Sequence, residues 1–272
     1  MTFADRCAVI TGGGGLLGRG MARTFARAGM HVVVADLDPD AAAAAAREVE
    51  ALGRRALAVP TDVTDPQSVE DLASAAYQAF GGVHLLCLNA GVAQLKPLEE
   101  LTLEDWSKVL SVQLWGVIHG VHAFLPRLLE QEGERHIVAT SSMSGVGRAD
   151  LRTLNAPYVT AKFAVVGLVE TMAPALAPHG IGVSVLCPGM TVADPEAMRA
   201  APIWAMPSAR WYEHNLLTAD QVAEEVLRGV EEQRLHIFPH RAGRAEVEQR
   251  HDRLMEAFVQ AERTSPPLDG TA

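Results

Sequence analysis

The stretch Thr11-Gly-Gly-Gly-Gly-Leu-Leu-Gly18 joins an apolar run, Cys7-Ala-Val-Ile10, to a segment with helical periodicity. Glycines between a strand and a helix let the chain turn tightly and bring backbone N–H groups close to a ligand. They also leave the positive helix end facing an anion such as a diphosphate. Leu17, Met21, Phe25 and Ala28 recur at helical spacing, which predicts a helix over residues 19–29. His31-Val-Val-Val-Ala-Asp36 follows as a strand ending in a carboxylate, so the opening of the chain reads as a βαβ unit.

The alternation continues outward from this unit. Asp38 and Pro39 cap a helix expected over residues 41–52, and residues 56–59 form a strand leading to Asp62-Val63. Asp65-Pro66 restarts a helix whose inward stripe is Val69, Leu72, Ala76 and Phe80, and Gly81-Gly82 ends it. A strand over 83–88 delivers Asn89-Ala-Gly91. Thr102 and Asp105 form a capping box for a helix reaching about residue 129. A strand over 136–140 delivers Ser141-Ser142, and a helix over 158–177 is expected to kink at Pro174. The strand over 181–186 leads to Cys187-Pro-Gly189. Residues 190–217 show no clear period, Thr218 caps a further helix, and residues 235–238 could supply a seventh strand. A charged helix over 244–263 and a tail over 264–272 close the chain.

Strands that are apolar on both faces and separated by helices predict an α/β fold: a doubly wound, Rossmann-like, seven-stranded parallel sheet in one domain over residues 1–263. Such sheets bind ligands outside the carboxyl ends of their strands. The glycine stretch, Asp36, Asp62, Asn89-Ala-Gly91, Ser141-Ser142 and Pro188-Gly189 each follow a strand, so all are expected on that one edge.

Composition narrows the partners. The formal net charge of −10 over 272 residues, with no Lys/Arg tract, argues against nucleic acid. Hydrophobic residues make up 49% and aromatics only 5%, which suits an aliphatic, alanine-rich core. Cys7, Cys87 and Cys187 are odd in number and far apart, as expected of buried free thiols in a reducing, cytoplasmic compartment. No metal-spaced His/Cys cluster occurs, and His119 and His122 read as packed or solvent-facing. No uninterrupted apolar run approaches the roughly 20 residues that span a bilayer, so no membrane role is expected.

Tyr158-Val-Thr-Ala-Lys162 sets a phenol and an ammonium one helical turn apart on one face. A free phenol titrates near pH ~10, and a neighbouring cation favours the phenolate, so the pair can exchange a proton near neutrality. Ser142, at the end of the adjacent strand, could hydrogen-bond a substrate oxygen.

Taken together, the glycine stretch, Asp36, Asp62-Val63, Asn89-Ala-Gly91, Ser141-Ser142, Tyr158-x-x-x-Lys162 and Pro188-Gly189 resemble the short-chain dehydrogenase/reductase family over nearly the whole chain. The resemblance implies a nicotinamide dinucleotide held by Gly12, Gly15, Leu16, Leu17, Gly18, Asp36, Asp62, Val63, Asn89, Ala90, Gly91, Pro188, Gly189 and Thr191. It implies Tyr158 as general acid/base, Lys162 lowering its pKa while touching the ribose, and Ser142 orienting the substrate oxygen.

The chain departs from the family pattern at three places. Leu16 stands where shorter members carry glycine, while Gly12, Gly15 and Gly18 match the spacing of longer members. Gln113 stands where a catalytic asparagine is expected. Extra residues separate Ser142 from Tyr158, which leaves Ser144 as a second candidate hydroxyl, and Thr191 lies earlier than the family threonine. Asp36 should accept from ribose hydroxyls and repel a 2′-phosphate, favouring NAD over NADP.

Apolar residues within 190–217, among them Met190, Met198, Ile203, Trp204, Met206, Trp211 and Tyr212, occupy the family's substrate-lid region. They suggest a lipophilic alcohol or ketone substrate, or simply lid packing. The expected activity is NAD-dependent oxidation of a secondary alcohol or the reverse. The alternative is a dinucleotide-binding sensor or scaffold weakened by Leu16 and Gln113. Epimerase or dehydratase chemistry is disfavoured by chain length. The resemblance also implies a homotetramer or dimer formed through the helices over 103–129 and 158–177.

Overall fold

The computed structural model describes residues 2–93, 95–147, 155–199, 216–241 and 243–264. Seven parallel strands form one sheet: β1 Cys7–Thr11, β2 His31–Asp36, β3 Ala56–Pro60, β4 Leu85–Leu88, β5 Arg135–Thr140, β6 Ile181–Leu186 and β9 His236–Ile237. Their order is β3-β2-β1-β4-β5-β6-β9, which reverses direction between β1 and β4. A second, two-stranded sheet pairs β7 Thr191–Val192 with β8 Leu217–Thr218.

Alternate residues of each strand feed two separate cores, one per face. Ala8, Ile10, Val32 and Val34 meet Met21 and Phe25 of α1 (Leu16–Arg27), Ala42 and Val49 of α2 (Pro39–Ala51), and Val226 of α8 (Ala219–Glu231). Val9, Val33, Leu86 and Ile137 meet Leu72 of α3 (Pro66–Phe80), Phe124 of α5 (Gly116–Glu130) and Val165 of α6 (Ala156–Leu176). Strands with both faces covered must be apolar throughout, which is why they read as continuous runs. On the first face α1 and α8 cross closely: a Cβ on Gly20 would lie 2.4 Å from that of Ala219.

Several boundaries differ from expectation. α1 begins at Leu16 rather than residue 19, so Leu17 and Gly18 lie in its first turn and not in a free loop. The predicted single helix from residue 102 is α4 (Leu103–Leu110), a π-helical turn (Ser111–Trp115) and then α5. α6 runs on as α-helix past Pro174 to Leu176. The two-residue strands β7 and β8 carry too little pattern to be seen in sequence. By length and composition the stretches Leu103–Glu130 and Ala156–His179 are apolar enough to cross a membrane, against the sequence expectation. In this fold each lays one face on the sheet. The short α7 is Pro195–Arg199, and the terminal helix α9 is Arg244–Thr264. Residues 200–215, with the apolar lid residues Ile203, Trp204, Met206, Trp211 and Tyr212, and the tail 265–272 lie outside the described residues.

Candidate active site

A cleft of about 810 Å³ opens along the carboxyl edge of the sheet. Its lining brings together Gly12, Gly15, Leu16, Leu17, Gly18, Asp36, Asp62, Val63, Asn89, Ala90, Gly91, Gln113, Tyr158, Lys162 and Pro188, which sequence reasoning had singled out one by one. The lining also includes Gly14 and Ser141, which the sequence offered only as parts of the glycine stretch and of Ser141-Ser142, and Thr140, which it did not single out. Ser142, Gly189 and Thr191 are not among the lining residues.

At the glycine end, Gly15 is the N-cap of α1 and offers no side chain to its first N–H groups, whereas Asp38, Asp65 and Thr218 cap α2, α3 and α8. An uncapped, positive helix end open to a cleft suits a diphosphate. The glycines divide the remaining work. Gly12 has φ +64°, and a Cβ there would lie 2.7 Å from Ala90 Cα. Gly18 packs helix on loop: its Cβ would fall 2.1 Å from Gly12 O, so its role is packing. Gly14 donates its N–H to Asp36 Oδ2 at 2.9 Å, and Asp38 N–H donates to Oδ1 at 3.1 Å, fixing the carboxylate at the mouth of the cleft. Leu16 is about half exposed.

Asn89 stitches strand ends together. Its Nδ2 donates to Thr11 O at 3.1 Å, its N–H donates to Thr11 Oγ1 at 2.9 Å, and its Oδ1 accepts from Thr140 Oγ1 at 3.3 Å. This ties β1, β4 and β5 at the point where strand order reverses. Asp62 is likewise committed locally, its Oδ1 accepting from Thr64 N–H at 2.8 Å and from Thr64 Oγ1 at 2.7 Å. His119, with no metal-binding group nearby among the described residues, meets Val63 O through Nδ1 at 2.9 Å.

At the other end, α6 carries Tyr158 half-buried and Lys162 buried, with Lys162 Nζ 5.4 Å from the centre of the Tyr158 ring. Nζ donates to Thr140 O at 2.6 Å. Burial lowers the Lys162 ammonium from its ordinary value of 10.5 to about 7. Ser141, beside the predicted Ser142, holds this helix: its Oγ donates to Lys162 O at 2.8 Å. Ser142 Oγ accepts from Ser144 N–H at 3.1 Å, which leaves the Ser142 hydroxyl proton as what it can offer outward.

Gln113 sits in the π-helical turn and is 2% exposed. Its Nε2 donates to Val92 O, while its Oε1 is buried with no hydrogen-bond partner among the described residues. The extra residue of a π turn pushes one side chain out of the helical row. Here it presents the amide over Gly91, where a Cβ would meet it at 3.0 Å. The three cysteines are buried and free, as expected.

Residues 6–201 match the family model described as short chain dehydrogenase. The chain is similar to a C alpha-dehydrogenase of a Sphingobium species, 32% identical over 96% of this chain and 88% of the relative. It is also similar to cis-4-hydroxycyclohexanecarboxylate dehydrogenase of Sinomonas cyclohexanicum, 37% identical over 82% of this chain and 88% of the relative. Among solved structures, a short chain dehydrogenase/reductase from Burkholderia phymatum in complex with NAD superimposes with a TM-score of 0.83 at 34% identity, covering 100% of this chain and 99% of that one.

Proposed function

The chain belongs to the short-chain dehydrogenase family, and from that premise we propose that it is an NAD-dependent oxidoreductase interconverting a lipophilic secondary alcohol and its ketone. The observation that carries the reading is the buried Lys162 beside Tyr158 at one end of a cleft whose other end is an uncapped helix and an anchored carboxylate. A bound nicotinamide would supply hydride acceptance and donation there. The α1 end would hold the diphosphate, Asp36 the adenosine ribose, and Lys162 the nicotinamide ribose. Among the described lining residues near Asp36 there is no arginine or lysine to accept a 2′-phosphate. Arg19, which directly follows Gly18, is ion-paired with Glu48.

Tyr158 Oη takes the alcohol proton in the oxidative direction and returns it in the reductive one. The Lys162 ammonium favours the phenolate, and Ser142 donates its hydroxyl proton to the substrate oxygen. Gln113 offers its unpartnered Oε1 to a polar group or water in the cleft. Val92, Ala93 and Val112 line the same space and favour an apolar substrate body. The cyclic secondary alcohol in the name of the 37% relative agrees with that shape of substrate. The exposed Leu103 and Trp115 support assembly into a dimer or tetramer through α4, α5 and α6.

The test is NADH formation on a panel containing cis-4-hydroxycyclohexanecarboxylate, cyclohexanol and aryl alcohols, with Tyr158→Phe as control. Loss of the phenol should lower kcat by about 10²- to 10⁴-fold with NAD affinity retained. NAD binding without turnover of any member would instead support the sensor or scaffold reading.

A further inference from the structure

The last strand is followed by Phe238-Pro-His240, beyond the residues that line the cleft, yet His240 is 4% exposed and both of its ring nitrogens are engaged. The geometry assigns His240 a positioning role: its imidazole locks the turn Pro188-Gly189-Met190 and so fixes the wall of the cleft at the Tyr158–Lys162 end. The inference rests on the oxidoreductase reading for its catalytic consequence, and on geometry alone for the lock itself.

β6 pairs with β9 through Val185 N–H to Leu235 O at 2.8 Å and Cys187 N–H to Ile237 O at 2.9 Å. The next N–H in this alternation is that of Gly189, beyond the paired strand. It donates not to a carbonyl but to His240 Nδ1 at 2.9 Å, so a side chain continues the ladder where the backbone stops. Because Nδ1 faces a donor it must carry a lone pair, and the ring proton lies on Nε2, which donates to Met190 O at 3.1 Å. Burial lowers the pKa of this imidazole, in keeping with the neutral form that the pattern requires. Gly189 lets the ring close on the backbone: a Cβ there would be 3.0 Å from His240 Cγ.

The clasped turn is also held from its other side. Pro188 lines the cleft, and its carbonyl accepts Met143 N–H at 3.0 Å, joining it to the Ser142 segment. Leu217 N–H reaches Met190 O at 3.4 Å, and β7 begins at the next residue, Thr191. His240 therefore binds the base of the 190–217 segment to the sheet. Without it, Gly189 N–H and Met190 O lose their ring partners together, and a buried polar group left unpaired drives local rearrangement.

Two full-length variants separate the lock from simple ring packing. His240→Phe keeps an aromatic ring and removes both bonds, whereas His240→Asn places Oδ1 where Nδ1 stood and retains the acceptor for Gly189 N–H. Amide hydrogen exchange of the apo protein over residues 187–192 should accelerate about tenfold or more in the Phe variant and stay within about threefold of wild type in the Asn variant. With NAD and an alcohol turned over by the wild type, kcat should fall about tenfold in the Phe variant while the KM for NAD changes less, and Asn should recover most of the loss. Unchanged exchange in the Phe variant, or an Asn variant as fast in exchange as Phe, overturns the lock. If the Phe variant does not fold, the exchange of the Asn variant decides alone, wild-type protection supporting the lock and its loss overturning it. A wild type without turnover of any alcohol would refute the proposed activity, and the exchange comparison would still decide the role of His240.

Discussion

Replacing Lys162 by Met should make the protein more stable at neutral pH while abolishing its activity. Lys162 is 3% exposed, and burial lowers its ammonium from 10.5 to about 7. Between those two values the unfolded chain binds a proton that the folded chain does not, so this group makes stability rise with pH across the window. Below it, both states are charged and the fold bears the full cost of the buried ammonium. At about 1.4 kcal/mol per tenfold change in proton affinity, that cost has an upper limit of about 5 kcal/mol near pH 6. Met has nearly the shape of Lys and no charge to desolvate. Its offsetting loss is the bond from Nζ to Thr140 O, which leaves a carbonyl unpaired at about 1–3 kcal/mol.

The Met variant is therefore expected to gain about 2 kcal/mol near pH 6, and the gain should vanish by about pH 9 as the wild-type lysine sheds its proton. Urea unfolding of both apo proteins at one protein concentration measures this, because linkage to ligand and subunit association is then held constant. A variant less stable than wild type near pH 6, or a difference that stays flat as the pH rises, would refute the claim that desolvation dominates at this lysine. The loss of turnover in the same variant would follow from removing the cation beside Tyr158.

The adenosine end yields two further expectations. Asp36→Ala should weaken NAD binding by about tenfold or more and narrow the preference over NADP, since a carboxylate that accepts Gly14 and Asp38 N–H groups is lost; isothermal titration with both dinucleotides checks this. Gly14→Ala should weaken NAD binding more than Leu16→Gly does. Its Cβ would lie 2.7 Å from Ala41 Cβ and 3.0 Å from Asp36 Oδ2, whereas Leu16 is about half exposed. Equal effects of these two substitutions in the same titration would mean that the cradle is organised around the position of Leu16 after all.

Much of this arrangement was legible in the chain because its cause is local. Apolar runs of strand length, helical stripes such as Val69, Leu72 and Ala76, and caps at Asp38, Asp65, Thr102 and Thr218 act through neighbours a few residues away. The phenol and ammonium of α6 could be paired from spacing alone, since one helical turn joins them. The start of α1 was misplaced because glycine gives no propensity signal, and Leu16 and Leu17 continue the helix backward only when Gly15 caps it. The π turn at Gln113 and the two-residue strands β7 and β8 left no readable period.

The sequence by itself determined the order of strands and helices, the burial of the sheet on both faces and the set of residues that collect on one edge, because each follows from short-range periodicity and from the rule that parallel strands share a carboxyl end. Only the tertiary structure decided what those residues do for one another. Asn89 binds three strand ends, Ser141 anchors α6 at Lys162, and His240 clasps a turn 50 residues earlier in the chain. These roles rest on hydrogen bonds between distant segments, and a group's partner there is set by how the sheet and its loops bring backbone donors and acceptors together, which no local pattern encodes.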